Sequence, residues 1–308
     1  TGTTATISQP VSSSGGSVSI TASTGAVSVA ANVTASTSMS ITPATSYSGA
    51  GALSAGTTLS ITGGTSVNPT GNLTAGGNLT LSGSARITIS SITASSTGGS
   101  VTITAGTYAS TDGGFYSNAG TIQSAAGAIT ITANAASSWG FYFEGGAKVQ
   151  STSGDITING NAPSTVWGGY LAGASVLSSS GAIKVDTKSS YGLVNGYTAT
   201  TNFGAISPAT SSSSVSLIGN YYWDGSTTVN VRTSGSVVIE STGTAFTSGT
   251  AITQHNFTGN SSLRIGKSTN NVALTLTGSA SIAGNYDVYC AVRILGQVVS
   301  CPGPRRGY

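Results

Sequence analysis

Apolar residues recur along this chain in pairs at i and i+2, flanked by Ser, Thr or Gly. They run Val18/Ile20, Met39/Ile41, Leu59/Ile61, Leu79/Leu81, Val101/Ile103 and Ile129/Ile131, then Ile156/Ile158, Ile183/Val185, Val215/Leu217, Val237/Ile239 and Leu263/Ile265. Strand side chains alternate between two faces, so each pair predicts a short strand with one buried face. The steps between pairs are 21, 20, 20, 22, 28, 27, 27, 32, 22 and 26 residues. A recurring period of about 20–50 residues is the signature of a solenoid. No window carries the i, i+3, i+4 spacing of an amphipathic helix, and glycine interrupts every stretch long enough to form one.

The stretch from Ile122 to Asp186 shows the repeat most clearly. Ile122-Gln-Ser-Ala-Ala-Gly127-Ala-Ile129-Thr-Ile131 returns as Val149-Gln-Ser-Thr-Ser-Gly154-Asp-Ile156-Thr-Ile158, and again from Val176 to Val185. Between the copies lies a second phrase: Trp139-Gly140-Phe141-Tyr142, Trp167-Gly168-Gly169-Tyr170 and Tyr191-Gly192-Leu193-Val194. A third phrase is Ala147-Lys148-Val149 and Ala174-Ser175-Val176. Three strand phrases per period predict an all-β parallel β-helix of about 11 coils of 20–28 residues. With strands stacked about 4.8 Å apart, the rod would be on the order of 50 Å long. Val27/Val29, Ile87/Ile89 and Leu274/Leu276 fall on a second side of the coil, and residues 195–214 read as an external loop. Residues 1–284 form the solenoid in this reading, and 285–308 a separate C-terminal segment.

That segment carries the chain's two cysteines. Tyr286, Val288, Cys290, Val292 and Ile294 alternate as one strand, and a hairpin centred on Leu295-Gly296 places Cys290 opposite Cys301. The spacing matches no zinc or redox motif, so an extracellular disulfide is the expectation. Pro302 and Pro304 end further pairing. The segment reads equally well as a stapled cap over the last coil and as an anchor or docking peptide.

Composition narrows the function classes. Charged residues are 6% of the 308 and the net charge is +3, against about 25% charged in ordinary soluble domains. Stacked coils bring equivalent residues into columns, where like charges repel, so Ser, Thr, Asn and Gly are favoured. No basic face is present, and nucleic acid is not an expected partner. Arg305-Arg306 is the only local basic cluster and a candidate docking site. No apolar run is long enough for a membrane helix. No leader precedes Thr1, so a signal peptide would be already removed or outside this sequence.

Candidate chemistry is sparse. Tyr221-Tyr222-Trp223 mixes the parity of a strand and adjoins the turn signal Asp224-Gly225, which makes these rings the candidate ligand contact. The columns of Trp139, Trp167 and Tyr191, and of Tyr142 and Tyr170, are expected to pack as core or semi-buried stacks. Pairs of Ser or Thr lie beside six successive core pairs, from Ser19/Thr21 to Thr130/Thr132. Such a hydroxyl face would suit ice binding, but the pattern decays into Lys184/Asp186 and Glu240; thermal hysteresis is the measurement for that alternative. The seven acids do not cluster as a polysaccharide-degrading enzyme needs. Asp186 and Glu240 alone share a phase, two coils apart, and His255 is the single histidine. No catalytic set, metal site or cofactor is therefore expected, and glycan breakdown by purified protein is the measurement against that expectation. Sequons begin at Asn32, Asn72, Asn78, Asn256 and Asn260, a weak signal in a chain this rich in Ser and Thr.

Gly77-Asn-Leu-Thr-Leu81, Gly98-Gly-Ser-Val-Thr-Ile-Thr-Ala105, Gly127-Ala-Ile-Thr-Ile-Thr132 and Gly154-Asp-Ile-Thr-Ile-Asn159 resemble the repeats of filamentous-haemagglutinin-type bacterial exoproteins of the two-partner secretion class. Ser189-Ser-Tyr-Gly-Leu193 is similar to the wider repeats of giant members. The resemblance covers about residues 15–280 and rests on repeat grammar. It implies a right-handed β-helix on the cell surface, an outer-membrane secretion partner, and attachment to host, neighbouring-cell or glycan surfaces. The Asn-Pro-Asn motifs of that family's secretion domain are matched only faintly by Asn68-Pro69-Thr70-Gly71, so that domain is expected to be missing. The cysteine pair resembles the pair that helps tether some members to their pore. The expectation is thus a secreted, non-enzymatic surface fibre or adhesin, with a homopolymeric filament as the alternative.

Overall fold

The computed structural model describes residues 4–108, 114–137, 139–163, 167–188, 192–195, 199–205, 209–220, 222–224 and 227–290. Within them the chain is built of strands and contains no helix. The strands pair in parallel with their equivalents one turn on, in three ladders. The first ladder runs from Thr4–Ile7 to Tyr222–Asp224 in ten strands. The second starts at Val11–Ser13 and the third at Val18–Ala22. The predicted parallel solenoid is therefore present, with about ten three-sided turns where the sequence suggested eleven. The difference lies at the C-terminal end. There the chain forms two long strands, Ala251–Ile265 and Thr275–Val288, parallel to each other and shifted in register at three points.

The core pairs stand in register as their spacing predicts. Val18 pairs with Met39, then Leu59, Leu79, Val101, Ile129, Ile156, Ile183, Val215, Val237 and Leu263 follow in one column. The second ladder contributes Val33, Leu53, Leu73, Ala94, Ile122, Val149, Val176, Phe203, Val231 and Phe257. One continuous cluster of buried apolar side chains runs from Ile20 to Val288. Each fully buried Leu, Ile or Val contributes about 1.5–3 kcal/mol, and one coil alone could not bury them.

Corners are closed by a short polar device. In the repeated Ser-x-x-Gly phrase the serine turns inward and bridges backbone. Ser124 Oγ donates to the Gly99 carbonyl at 2.8 Å, and the Gly154 N–H donates to Ser151 Oγ at 2.9 Å. These serines are buried, so an unanswered corner carbonyl would be costly. Asn side chains do the same work between coils: the Asn72 and Asn78 amide oxygens accept the N–H groups of Thr93 and Ser100, each at 2.9 Å.

One expectation is corrected. Residues 195–214 are not wholly an external loop. Thr201–Gly204 is a strand of the second ladder, and Phe203 is fully buried between Val176 and Val231. The extra length of this coil sits at the next corner, after Gly204. At the C-terminus, Tyr286 and Val288 lie on the last described strand. They pair in parallel with Leu263 and Ile265 and so continue the solenoid's core pairs, and the strand ends at Val288. Cys290 is half-buried and packs against the end of the core. Cys301 and the predicted turn lie outside the described residues.

Tyr47 gives a test of the first ladder. It stands in the inward column between Val27 and Val67, fully buried, and its hydroxyl has no hydrogen-bond partner among the described residues. Burial pushes its phenol well above the ordinary value near 10. Above about pH 10 the unfolded chain loses a proton that the folded chain keeps, so stability falls as pH rises. Tyr47→Phe is expected to raise stability at neutral pH by about 1 kcal/mol, by removing an unsatisfied buried group. It should also remove this residue's share of the alkaline loss. Denaturant unfolding at neutral pH and above pH 10 checks both parts.

Candidate functional site

The third ladder presents the hydroxyl columns. Ser19, Ser40, Ser60, Thr80, Thr102, Thr130 and Thr157 align, and beside them Thr21, Thr42, Thr62, Ser82, Thr104 and Thr132. Charge enters only further along. Asp186 and Glu240 share a column with Ile218 between them. Each carboxylate is neutralised locally: Lys184 Nζ lies 3.0 Å from Asp186 Oδ2, and Arg264 Nη2 lies 2.8 Å from Glu240 Oε2.

The first ladder carries aromatics on both of its faces. Phe115, Phe141 and Phe143 occupy the lumen, with Phe143 ring centroids 5.3 Å from Phe115 and 5.7 Å from Phe141. Trp139, Trp167, Tyr142 and Tyr170 form a satellite cluster outside the main core. The two tryptophans stack at 6.1 Å and the two tyrosines at 4.4 Å, as the repeat alignment predicts. The stack is closed off by packing: Tyr170 is buried, and Trp139, Trp167 and Tyr142 are half-buried. Tyr116 extends the column and donates to Glu144 Oε1 at 2.5 Å, and Asn118 Nδ2 donates to the same oxygen at 2.9 Å. Burial, then Tyr170, then Glu144, push the Tyr142 phenol far above its ordinary range. These rings read as a brace for the wide turns.

The second ladder holds a concavity of about 480 Å³. Its floor is one outward column from successive coils: Ser95, Gln123, Gln150 and Leu177. The adjoining corners, with Thr97, Ala125, Thr152 and Ser179, make one side. One end is closed by the lengthened corner of the next coil, with Ala205, Ala209, Thr210 and Ser211. Gly204 starts that corner at φ +83°, and a Cβ there would lie 2.3 Å from the Arg232 carbonyl oxygen, so the turn needs glycine. Ser211 and Ser212 are bonded to the coils on either side. The Ser212 N–H donates to the Ser179 carbonyl at 2.9 Å, and the Ser234 N–H donates to the Ser211 carbonyl at 2.8 Å.

Among the described residues no charged side chain lines this groove. Gln150 Nε2 donates to Gln123 Oε1 at 2.8 Å, which fixes both amides and leaves one amide's N–H pair and the other's oxygen with remaining capacity. The corner serines Ser96, Ser124, Ser151 and Ser178 already bond glycine carbonyls. A 480 Å³ cleft falls in the range of small-ligand sites.

Tyr222 and Trp223 lie on the last strand of the first ladder, with Trp223 in register with Val194, and their side chains are not among those described. Tyr221, Arg305 and Arg306 lie outside the described residues. Of the sequons, Asn260 is fully buried and its Nδ2 donates to the Thr233 carbonyl at 3.0 Å, so that nitrogen is not open to a glycan in the folded chain. Gln123 and Gln150 were not singled out, although their identical place in the opening repeat, 27 residues apart, was the signal. Comparisons with protein-family models, curated proteins and solved structures return no match.

Proposed function

We propose that this chain is a rigid extracellular surface fibre whose work is attachment rather than catalysis. The observation that carries the reading is the in-register stacking of three ladders over about ten turns, which holds uncharged side chains in fixed lateral columns. A rod of this kind separates what it carries at its ends and offers repeated, nearly neutral faces to a surface along its length. The repeat resemblance supports a bacterial outer surface, delivery by an outer-membrane secretion partner, and host, neighbouring-cell or glycan surfaces as targets. Tyr221, Tyr222 and Trp223 remain candidate contacts in this reading. A Cys290–Cys301 disulfide would close a loop of about 12 residues at the C-terminal end, worth about 3 kcal/mol; thiol labelling before and after reduction counts it. The direct test is adhesion of the purified chain to cells and immobilised glycans. Saturable attachment without product release is expected, and turnover of the glycan would contradict it.

A second reading, a filament subunit stacking end to end, is favoured by one observation. Among the described residues the large apolar side chains left exposed are Val11, on the first turn, and Tyr289, just past the last strand. Sedimentation over a concentration series separates the two: the filament reading requires growth, and Val11→Asp should abolish it.

A further inference from the structure

We infer that the second-ladder groove is a binding site for an uncharged linear oligosaccharide lying along the solenoid axis. This deepens the attachment reading and rests on it. Four properties of the groove define the ligand. Among the described residues it has no charged lining residue, and so no cation to recruit an anionic polymer or nucleic acid. Its fixed Gln123–Gln150 amide pair offers donors and an acceptor side by side, which suits neighbouring sugar hydroxyls. Leu177 continues the same column and supplies an apolar patch for the C–H face of a sugar ring. The column repeats once per coil, at about 4.8 Å, close to the length of one pyranose unit in an extended chain. Ser95, Gln123, Gln150 and Leu177 would thus meet successive rings.

An extended peptide fits the same groove less well. Peptides that join a sheet do so by pairing with an exposed edge. The strands under this groove are interior members of the ladder, with both backbone edges already paired to the coils above and below. Only side chains face the ligand. Ala209, Thr210 and Ser211, with Ser211 and Ser212 bonded to the coils on either side, make one end of the cleft a wall, so the site has a fixed floor and end before any ligand arrives.

The test uses the full chain and neutral linear oligosaccharides about four rings long, unsubstituted β-1,4-linked hexoses and N-acetylhexosamines, titrated by calorimetry at low and high salt. Binding that is insensitive to salt is expected, with Gln123→Ala/Gln150→Ala weakening it ~10-fold or more, the loss of two hydrogen-bonding groups. Thr210→Trp, an exposed position that should fill the cleft without touching the core, is expected to block it. Thr130→Ala, on the third ladder, should leave it unchanged. Melting curves confirm that each variant is folded. Equal binding by wild type and both groove variants would overturn the groove while leaving the attachment reading standing. So would cell adhesion without affinity for any neutral saccharide, or a preference for charged glycans or for extended peptides. Failure to attach to any cell or glycan would overturn both.

Discussion

Gly154→Ala is expected to cost about 3 kcal/mol of stability, while Gly15→Ala is expected to be neutral or to stabilise by up to ~1 kcal/mol. In sequence both are glycines between polar residues. In the fold they differ completely. A Cβ on Gly154 would lie 2.1 Å from the Gly127 carbonyl oxygen and 2.4 Å from its carbon. The same contact repeats up the corner, with Gly127 against the Gly99 oxygen at 2.3 Å and Gly181 against the Gly154 oxygen at 2.2 Å. Each obstacle is backbone, held by the ladders on either side, so no side chain can rotate away. Only separation of two coils relieves the clash, and that weakens ladder bonds and core contacts together. A Cβ on Gly15 would meet nothing within 4 Å, and alanine there chiefly restricts the unfolded chain. Urea unfolding followed by circular dichroism measures both. Similar effects at the two positions would show that the corner column is not packed this closely. Solenoid coils couple mainly to their neighbours, so Trp139 and Trp167 fluorescence, from the turns beside Gly154, should report the loss first.

Phe141→Ala should cost about 3–5 kcal/mol, and its partner across the coils should reveal why. Phe141 is fully buried, and its ring covers the backbone of Gly169 in the next coil. A Cβ on Gly169 would lie 2.0 Å from Phe141 Cζ. The pair works as a knob over a hole: the large ring is tolerated because the next coil has no side chain at that level. Gly169→Ala alone should therefore cost about 3 kcal/mol through overpacking. Once Phe141 is alanine the added methyl enters the vacated space, and its penalty should largely disappear. A double-mutant cycle should give a favourable coupling of about 1–3 kcal/mol. Additive effects would mean that the ring does not stand over Gly169.

Much of the fold was legible because one phrase repeats at a nearly fixed period. The Ile-x-Ile pairs give ladder, register and inward face together, since a slip of one residue would turn every Ile outward. Two features were hidden. In Phe141-Tyr142-Phe143 both parities are aromatic, so periodicity cannot say which rings fill the lumen; the polar hydroxyl decides it, and Tyr142 faces out. Phe203 stands alone between Asn202 and Gly204, with no matching phrase in the flanking coils, so its strand read as loop. Tyr286/Val288 was obscured for the opposite reason. The alternation runs on into Cys290, so periodicity alone does not show that Tyr286 and Val288 stack on Leu263 and Ile265. The groove was the least legible element. It arises where Ala205, Ala209, Thr210 and Ser211, small residues with no distinctive chemistry, come beside a Gln column visible only once the coils are stacked. A chain this poor in charge also hides its sites from any search for titratable residues.

The register of the second ladder carries both the fold and the groove, and paired cysteines read it most directly. In a chain whose own cysteines are replaced by serine, Gln123→Cys/Gln150→Cys places two thiols on adjacent coils, with backbones about 4.8 Å apart and within disulfide reach. Gln123→Cys/Leu177→Cys places them two coils apart, about 10 Å, beyond it. Mild oxidation of the monomer should close the first pair rapidly and leave the second open, read as blocked and free thiols by mass. Closure of the second pair as fast as the first, or failure of the first, would contradict the stacking on which the fold and the site depend.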